Sequence, residues 1–192
     1  MAIYNGDSGP NVIDGGAGHD EIHGHGGDDQ LNGHGEYDFI AGGAGSDTVN
    51  GGDGDDSLFA AEKTLDYINP IWTDNYVAPL LDTGSEVDTL QGGDGNDWLY
   101  AGYGDNVDGG ANSGGDRLYI SFLGAPAGVV FDFTQATQVI GGGTIQNVEH
   151  ISWIQGSNFD DDIYAQSTNN NGLSEFTAIF GKIGRASCRE RV

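Results

Sequence analysis

The sequence predicts an all-β protein in which a nine-residue repeat lays down a stack of short strands and a strand-rich segment then covers it. Three observations lead there. Glycine returns at fixed places through residues 6–59, and an aliphatic residue recurs at every ninth position of the same stretch. From about Arg117 the composition turns apolar, with β-branched and aromatic runs separated by glycine. The 192 residues suffice for one domain with a cap.

The composition sets the problem that the repeat must solve. There are 35 Gly, and 30 Asp and Glu stand against 6 Lys and Arg, a formal net charge of −24. Glycine loses the most backbone freedom on folding, and the charge repels itself in a compact chain. Such a chain is either disordered or recruits cations, and the order of its residues decides between the two. The acidity excludes nucleic acid and anionic lipid as partners. No stretch reaches the ~18 apolar residues of a membrane span, and Met1–Pro10 lacks the pattern of a classical signal peptide.

The first element is the repeat itself. From Gly6 to Phe59 the chain divides without gaps into GDSGPNVID, GGAGHDEIH, GHGGDDQLN, GHGEYDFIA, GGAGSDTVN and GGDGDDSLF. Position four is Gly in all but the fourth unit, where Glu36 replaces it. Position six is Asn11, Asp20, Asp29, Asp38, Asp47 and Asp56, and position eight is Ile13, Ile22, Leu31, Ile40, Val49 and Leu58. Glycines at positions one, two and four permit dihedrals closed to other residues, so positions one to six are expected to form a tight turn. The turn exposes carbonyls and the aspartate adds a carboxylate. Oxygen ligands, charged and neutral together, suit a hard cation with flexible coordination, which points to Ca²⁺. Positions seven to nine are expected to form a short strand whose eighth residue points into a narrow aliphatic core.

These units resemble the GGxGxDxUx nonapeptides of the repeats-in-toxin (RTX), or hemolysin-type, calcium-binding family. The resemblance implies a parallel β-roll in which two nonapeptides complete one coil and calcium sits between turns stacked on one edge. Asp20, Asp38 and Asp56 would then line one edge, and Asn11, Asp29 and Asp47 the other. Asn11 keeps an oxygen but no charge, so its site is expected to be weak. The metal ligands expected overall are these residues with Asp88, Asp97 and Asp116 of later units. They are joined by the carbonyls of Gly15, Gly16, Gly18, Gly24, Gly33, Gly42, Gly43, Gly45, Gly51, Gly52, Gly54, Gly92, Gly93 and Gly95. Glu36, and His25 and His34 at position two, put their turns in question.

The second element is an interruption. Residues 60–82 hold Tyr67, Trp72, Tyr76, Pro70 and Pro79 and no repeat. The pattern returns in TGSEVDTLQ (83–91), GGDGNDWLY (92–100), a slipped AGYGDNVDGG and ANSGGDRLY (111–119), giving one roll over 6–119 with an aromatic excursion. The excursion reads best as a flap packed against the roll, with a surface for a glycan or protein partner as the alternative. The third element, 120–181, is expected to be a β-rich cap. RLYISFL, GVVFDFT, TQVI and NVEHISWI read as strands, and GSNFDDDIY (156–164) as a degenerate repeat with Asp161 and Ile163 in phase. A cap shields the strand edge that a stack leaves open. The last stretch, Lys182–Val192, holds four of the six cations and the only cysteine, Cys188. It resembles an in-frame translation of a sequencing adapter, and is set aside from the fold with the natural C-terminus expected to be missing.

Motifs that suggest enzymes fail on their own chemistry. GDSGP around Ser8 echoes a serine-protease nucleophile but has no upstream His and Asp partners. His19-Asp-Glu-Ile-His23 has its Glu one place late for a zinc-protease helix, and helix is improbable among these glycines. His25 and His34 fall on opposite edges of the roll, against a shared transition-metal site. Positions seven and nine are too mixed for a repetitive ice- or mineral-binding face. No catalytic constellation is therefore expected in this chain. The reading is a secreted, extracellular bacterial protein whose RTX repeats bind several Ca²⁺ ions and fold upon them, exported, as the resemblance implies, by a type I secretion apparatus. Its rivals are the non-catalytic end of a secreted protease or lipase, and a glycan-binding adhesin or surface protein.

Overall fold

The computed structural model describes residues 1–61, 86–110, 115–133 and 135–164, with the backbone of Ile179–Phe180 and Arg185–Ala186. Ten strands come from the repeats and their flanks: β1 (Ala2–Asn5), β2 (Val12–Gly16), β3 (Asp20–Gly26), β4 (Gln30–Gly35), β5 (Phe39–Ala44), β6 (Thr48–Asp53), β7 (Ser57–Phe59), β8 (Thr89–Asp94), β9 (Trp98–Ala101) and β10 (Asn106–Gly110). Then follow β11 (Arg117–Ser121), β12 (Val130–Asp132), β13 (Thr137–Ile140), β14 (Gly143–Gln146), β15 (His150–Gln155), β16 (Asp162–Tyr164), β17 (Ile179–Phe180) and β18 (Arg185–Ala186). One sheet has the order β1-β3-β5-β7-β9-β11-β15-β17 and the other β13-β14-β10-β8-β6-β4-β2. Alternate strands thus go to opposite sheets, and the chain is a parallel β-roll. Ala2 faces Asp20 and Val12 faces Gln30, so one coil is two nonapeptides.

The eighth residue of each unit builds the core. Ile22, Leu31, Ile40, Val49, Leu58, Leu90, Leu99 and Leu118 are all fully buried between the sheets. Burying such a side chain contributes about 1.5–3 kcal/mol, while ordering a residue costs about 1–2 kcal/mol of backbone entropy. One inward aliphatic per nine residues makes a thin core.

Two expectations change at the turns. Strands are longer than three residues: β4 and β6 take in positions one to three, so the first two glycines belong to the sheet. Left-handed φ occurs at positions two and four, for example 111° at Gly52 and 135° at Gly54. Position-one glycines do not share it, and another reason for them appears below. His25, His34 and Glu36 keep the same geometry as the glycines they replace, at φ of 72°, 84° and 71°. Their turns are intact, at a local cost of about 1–2 kcal/mol each.

The sheets run straight across the aromatic interruption. β6 pairs β8 and β7 pairs β9 with Thr48 facing Thr89 and Ser57 facing Trp98. The step is 41 residues instead of 18, an insertion of 23. Ala60 still belongs to the roll, donating to the Tyr100 carbonyl and accepting from Gly43 N–H. The flap expected beyond it lies outside the described residues.

Past Arg117 the coils widen. β11 and β15 extend the first sheet, β14 extends the second, and β13 closes that second sheet as an antiparallel hairpin with β14. β12, β16 and β18 form a third, small sheet beneath which Phe131 and Ile163 are buried. Arg185–Ala186, inside the stretch set aside in the sequence, pairs with Asp162–Ile163.

The outward residues, mixed when taken along the sequence, separate by sheet. The second sheet presents Gln30, Thr48, Thr89, Asn32, Asn50 and Gln91. The first carries an aromatic stack, Phe39–Phe59 at 4.8 Å, Phe59–Tyr100 at 4.2 Å and Tyr100–Tyr119 at 4.5 Å, with Arg117 over the Trp98 ring.

Candidate metal centre

Because coils superpose in register, position six of one coil lies directly against position six of the next. That residue stands just ahead of its strand, and its N–H points along the stack. The N–H groups of Asp20, Asp38, Asp56 and Asp97 donate to Oδ1 of Asp38, Asp56, Asp97 and Asp116 respectively, each at 2.8 Å. On the opposite edge Asn11, Asp29 and Asp47 donate to Oδ1 of Asp29, Asp47 and Asp88 at 2.7–2.9 Å. Each edge of the roll is a ladder of carboxylates.

These bonds use one oxygen of each carboxylate. The other, Oδ2, is buried without a partner in Asp29, Asp38, Asp47, Asp56, Asp97 and Asp116. It turns toward the glycine at position one of its own unit, or in Asp116 toward Gly109. A Cβ on Gly24 would overlap Asp29 Oδ2 and the Gly42 carbonyl oxygen; on Gly51, Asp56 Oδ2 and the Gly92 carbonyl; on Gly92, Asp97 Oδ2 and the Gly109 carbonyl. Glycine is required at position one for room, not for its dihedral. The space it leaves is lined by two acceptors with no donor between them. A carboxylate oxygen and a carbonyl cannot bond each other, so only a cation or a supplied proton reconciles them.

Burial makes these carboxyls hold their protons to higher pH than usual. Burial pushes the carboxyls of Asp47 and Asp97 up to about 6, and those of Asp56 and Asp116 to about 7. Carboxylates of neighbouring coils add to the shift, and Asp29 and Asp38 are raised for the same first reason. Oxygen donors of both kinds, repeated along each edge, fit a hard divalent ion of the calcium type. Among the described residues no three His, Cys, Asp or Glu side chains converge on one point. That is consistent with sites built from one carboxylate per turn and backbone carbonyls.

The structure brings Asp20, Asp29, Asp38, Asp47, Asp56, Asp88, Asp97 and Asp116 into the two ladders. Asn11 stands at the exposed end of its row, where its Oδ1 accepts Asp7 N–H. Of the expected glycine carbonyls, those of Gly24, Gly33, Gly42, Gly51 and Gly92 lie in the cradles beside position-six oxygens. Two residues outside the expected set, Asp105 and Glu149, also occupy ladder positions, and Asp161 takes a similar place in the third sheet. Asp105 follows Asp88, taking its N–H at 3.0 Å, because the unit after Tyr100 lost one residue from its turn and kept its strand in register. Its Oδ2 accepts Gly102 N–H at 2.6 Å, so this turn closes on itself. Asp161 is likewise closed, by the N–H groups of Val129 and Ser157 and the Ser157 hydroxyl. Glu149 accepts Asp116 N–H at 3.1 Å. The histidines do not form one cluster: His23 and His25 stack at 5.9 Å in β3, His23 also pairing with Glu21 at 3.0 Å, whereas His34 lies in β4 and His19 stacks on Tyr37.

Against known proteins, the chain is similar to the RTX calcium-binding nonapeptide repeat, whose family model matches in four copies over residues 5–40, 37–62 and 82–118. No curated protein and no solved structure matches it.

Proposed function

Because the chain belongs, through residues 5–62 and 82–118, to the RTX calcium-binding nonapeptide repeat family, we propose that its biochemical act is to fold upon several calcium ions. Calcium binding is the property of that repeat, and the repeat is a non-catalytic module. The ligands proposed here are Asp20, Asp29, Asp38, Asp47, Asp56, Asp88, Asp97 and Asp116, with the position-one carbonyls of adjacent coils. Asn11 makes a weaker end site.

One observation carries this reading: six buried carboxylate oxygens have no hydrogen-bond partner. Each such oxygen costs about 1–3 kcal/mol, and more when charged. Six of them rival the whole stability of a typical domain, about 5–15 kcal/mol. A bound divalent ion would remove that cost and neutralise the repulsion between coils. At free calcium about a hundred times Kd each site adds roughly 2.7 kcal/mol. Extracellular calcium modules bind with Kd of about 10⁻⁴–10⁻³ M, which supports a secreted protein that stays unfolded until it meets external calcium. Export by a bacterial type I apparatus belongs to the same proposal.

Far-UV circular dichroism of the full chain tests it. In chelator the β-signal should be largely absent; millimolar Ca²⁺ should restore it and equal Mg²⁺ should not, since Mg²⁺ demands a tight octahedron and keeps its water. Full, cooperative β-structure in chelator would make calcium incidental and end the proposal.

A further inference from the structure

The carboxylate ladder continues past the last nonapeptide. β11 pairs β15 with Arg117 facing His150, which puts Glu149 at position six of a coil that contains no repeat. Asp116 N–H donates to Glu149 Oε2, as Asp97 N–H donates to Asp116 Oδ1 one coil earlier. The cradle is reproduced as well. Asp116 is fully buried, its Oδ2 has no partner, and a Cβ on Gly109 would overlap both that oxygen and the carbonyl oxygen of Asn147. In the preceding coil the same two roles fall to Asp97 Oδ2 and the Gly109 carbonyl. Asn147 reaches its place through a left-handed φ of 52°, at the end of the β14 strand. The Glu149 carboxylate lies against that of Asp116, and among the described residues no cationic side chain is bonded to either.

We propose that Asp116, Glu149 and the Asn147 carbonyl oxygen form a further divalent-cation site, for calcium, at the junction of the roll and the strand-rich segment. The family match ends at residue 118, so two of its three ligands lie outside the repeats. The other edge of the roll shows what such a coil looks like when it needs no ion: there Asp105 spends its second oxygen on Gly102 N–H. Among the described residues Asp116 has no equivalent donor. An ion at this point ties the widened coils to the roll, so the site couples the two parts of the chain as well as adding to the ion count. The inference rests on calcium binding at position six.

The test is the number of calcium ions per full chain, measured by native mass spectrometry and equilibrium dialysis, for wild type, Glu149→Gln and Asp116→Asn. Gln keeps the length of Glu and an acceptor for Asp116 N–H but lacks the charge. Glu149→Gln should bind one ion fewer, or hold one ion at least tenfold more weakly, with the calcium-saturated dichroism unchanged. The double variant should lose no more than Asp116→Asn alone. An unchanged ion count and affinity in Glu149→Gln overturns the inference while leaving the repeat sites standing, whereas a wild-type chain that takes up no calcium overturns the function proposed above. If Glu149→Gln does not fold, Glu149→Asp decides. Folding with the wild-type ion count shows that a carboxylate is what position 149 requires, and failure like that of Gln shows that shape alone was at stake.

Discussion

At the scale of the residue, adjacent aspartates differ in what they can do. Asp38 is fully buried, accepts Asp20 N–H and leaves Oδ2 unpartnered, whereas Asp28 is exposed and its Oδ1 accepts Ser46 N–H from the surface. Asp38→Ala should lower calcium affinity at least tenfold and raise the calcium needed for folding. Asp28→Ala should cost about 0.5–1.5 kcal/mol, one ordinary hydrogen bond, with calcium affinity nearly unchanged. Calcium titrations followed by calorimetry separate the two, and equal effects would mean that bulk negative charge does the binding. Glu36 offers the opposite change. Its left-handed φ of 71° is a conformation that glycine adopts at the same position of three other units, Gly27, Gly45 and Gly54. Glu36→Gly should therefore stabilise the calcium-bound roll by about 1 kcal/mol, seen as a rise of a few degrees in Tm. Gly51→Ala should do the reverse although Gly51 has no unusual dihedral, because the added methyl fills the cradle of Asp56.

At the scale of the element, the 23 extra residues between β7 and β8 leave both sheets in register. Deleting residues 62–84 restores the 18-residue step between coils, with Ala60-Ala61 followed by Ser85–Gln91 as one nine-residue unit. This shortened chain should still gain β-structure with calcium; loss of the calcium-induced dichroism would show that the segment is part of the fold. The roll was legible in the sequence because its signal is a phase, and phase survives as long as unit length does. Ile22, Leu31, Ile40 and their successors needed no structure to be placed in the core. Asp105 was not legible, because a turn shortened by one residue breaks the count while the strand pairing that absorbs the change is a three-dimensional fact. Glu149 was hidden for a stronger reason: its neighbour in the ladder is 33 residues away across coils that share no spacing with the repeat. The role of position-one glycine was misassigned in the sequence because steric room and dihedral freedom leave the same residue.

At the scale of the whole molecule, the ladders make stability a function of acidity with opposite signs in the two ionic states. Buried carboxyls of the ion-free roll titrate near 6 to 7 for Asp47, Asp97, Asp56 and Asp116, against an ordinary value of 3.8. The folded chain then keeps protons that the unfolded chain has released, so this contribution is fully present below pH 3.8 and is lost as pH rises through 6 to 7. Calcium requires the same groups deprotonated, so its affinity should climb over that window. In chelator the β-signal should be larger at pH 5 than at pH 8, while the calcium concentration at half-folding should be lower at pH 8. Circular dichroism at the two pH values checks both, and a pH-independent midpoint would remove the carboxyls from the binding. The stacking has a mechanical meaning too. Each coil is held by its two neighbours alone, so tension on a chain end does not load the molecule as a block; it peels the outermost turn while those behind it stay wound. The roll is a spool. A pulling instrument should draw it out in steps of one coil, about 60 Å of extended chain for eighteen residues, and the force of each step should rise with dissolved calcium.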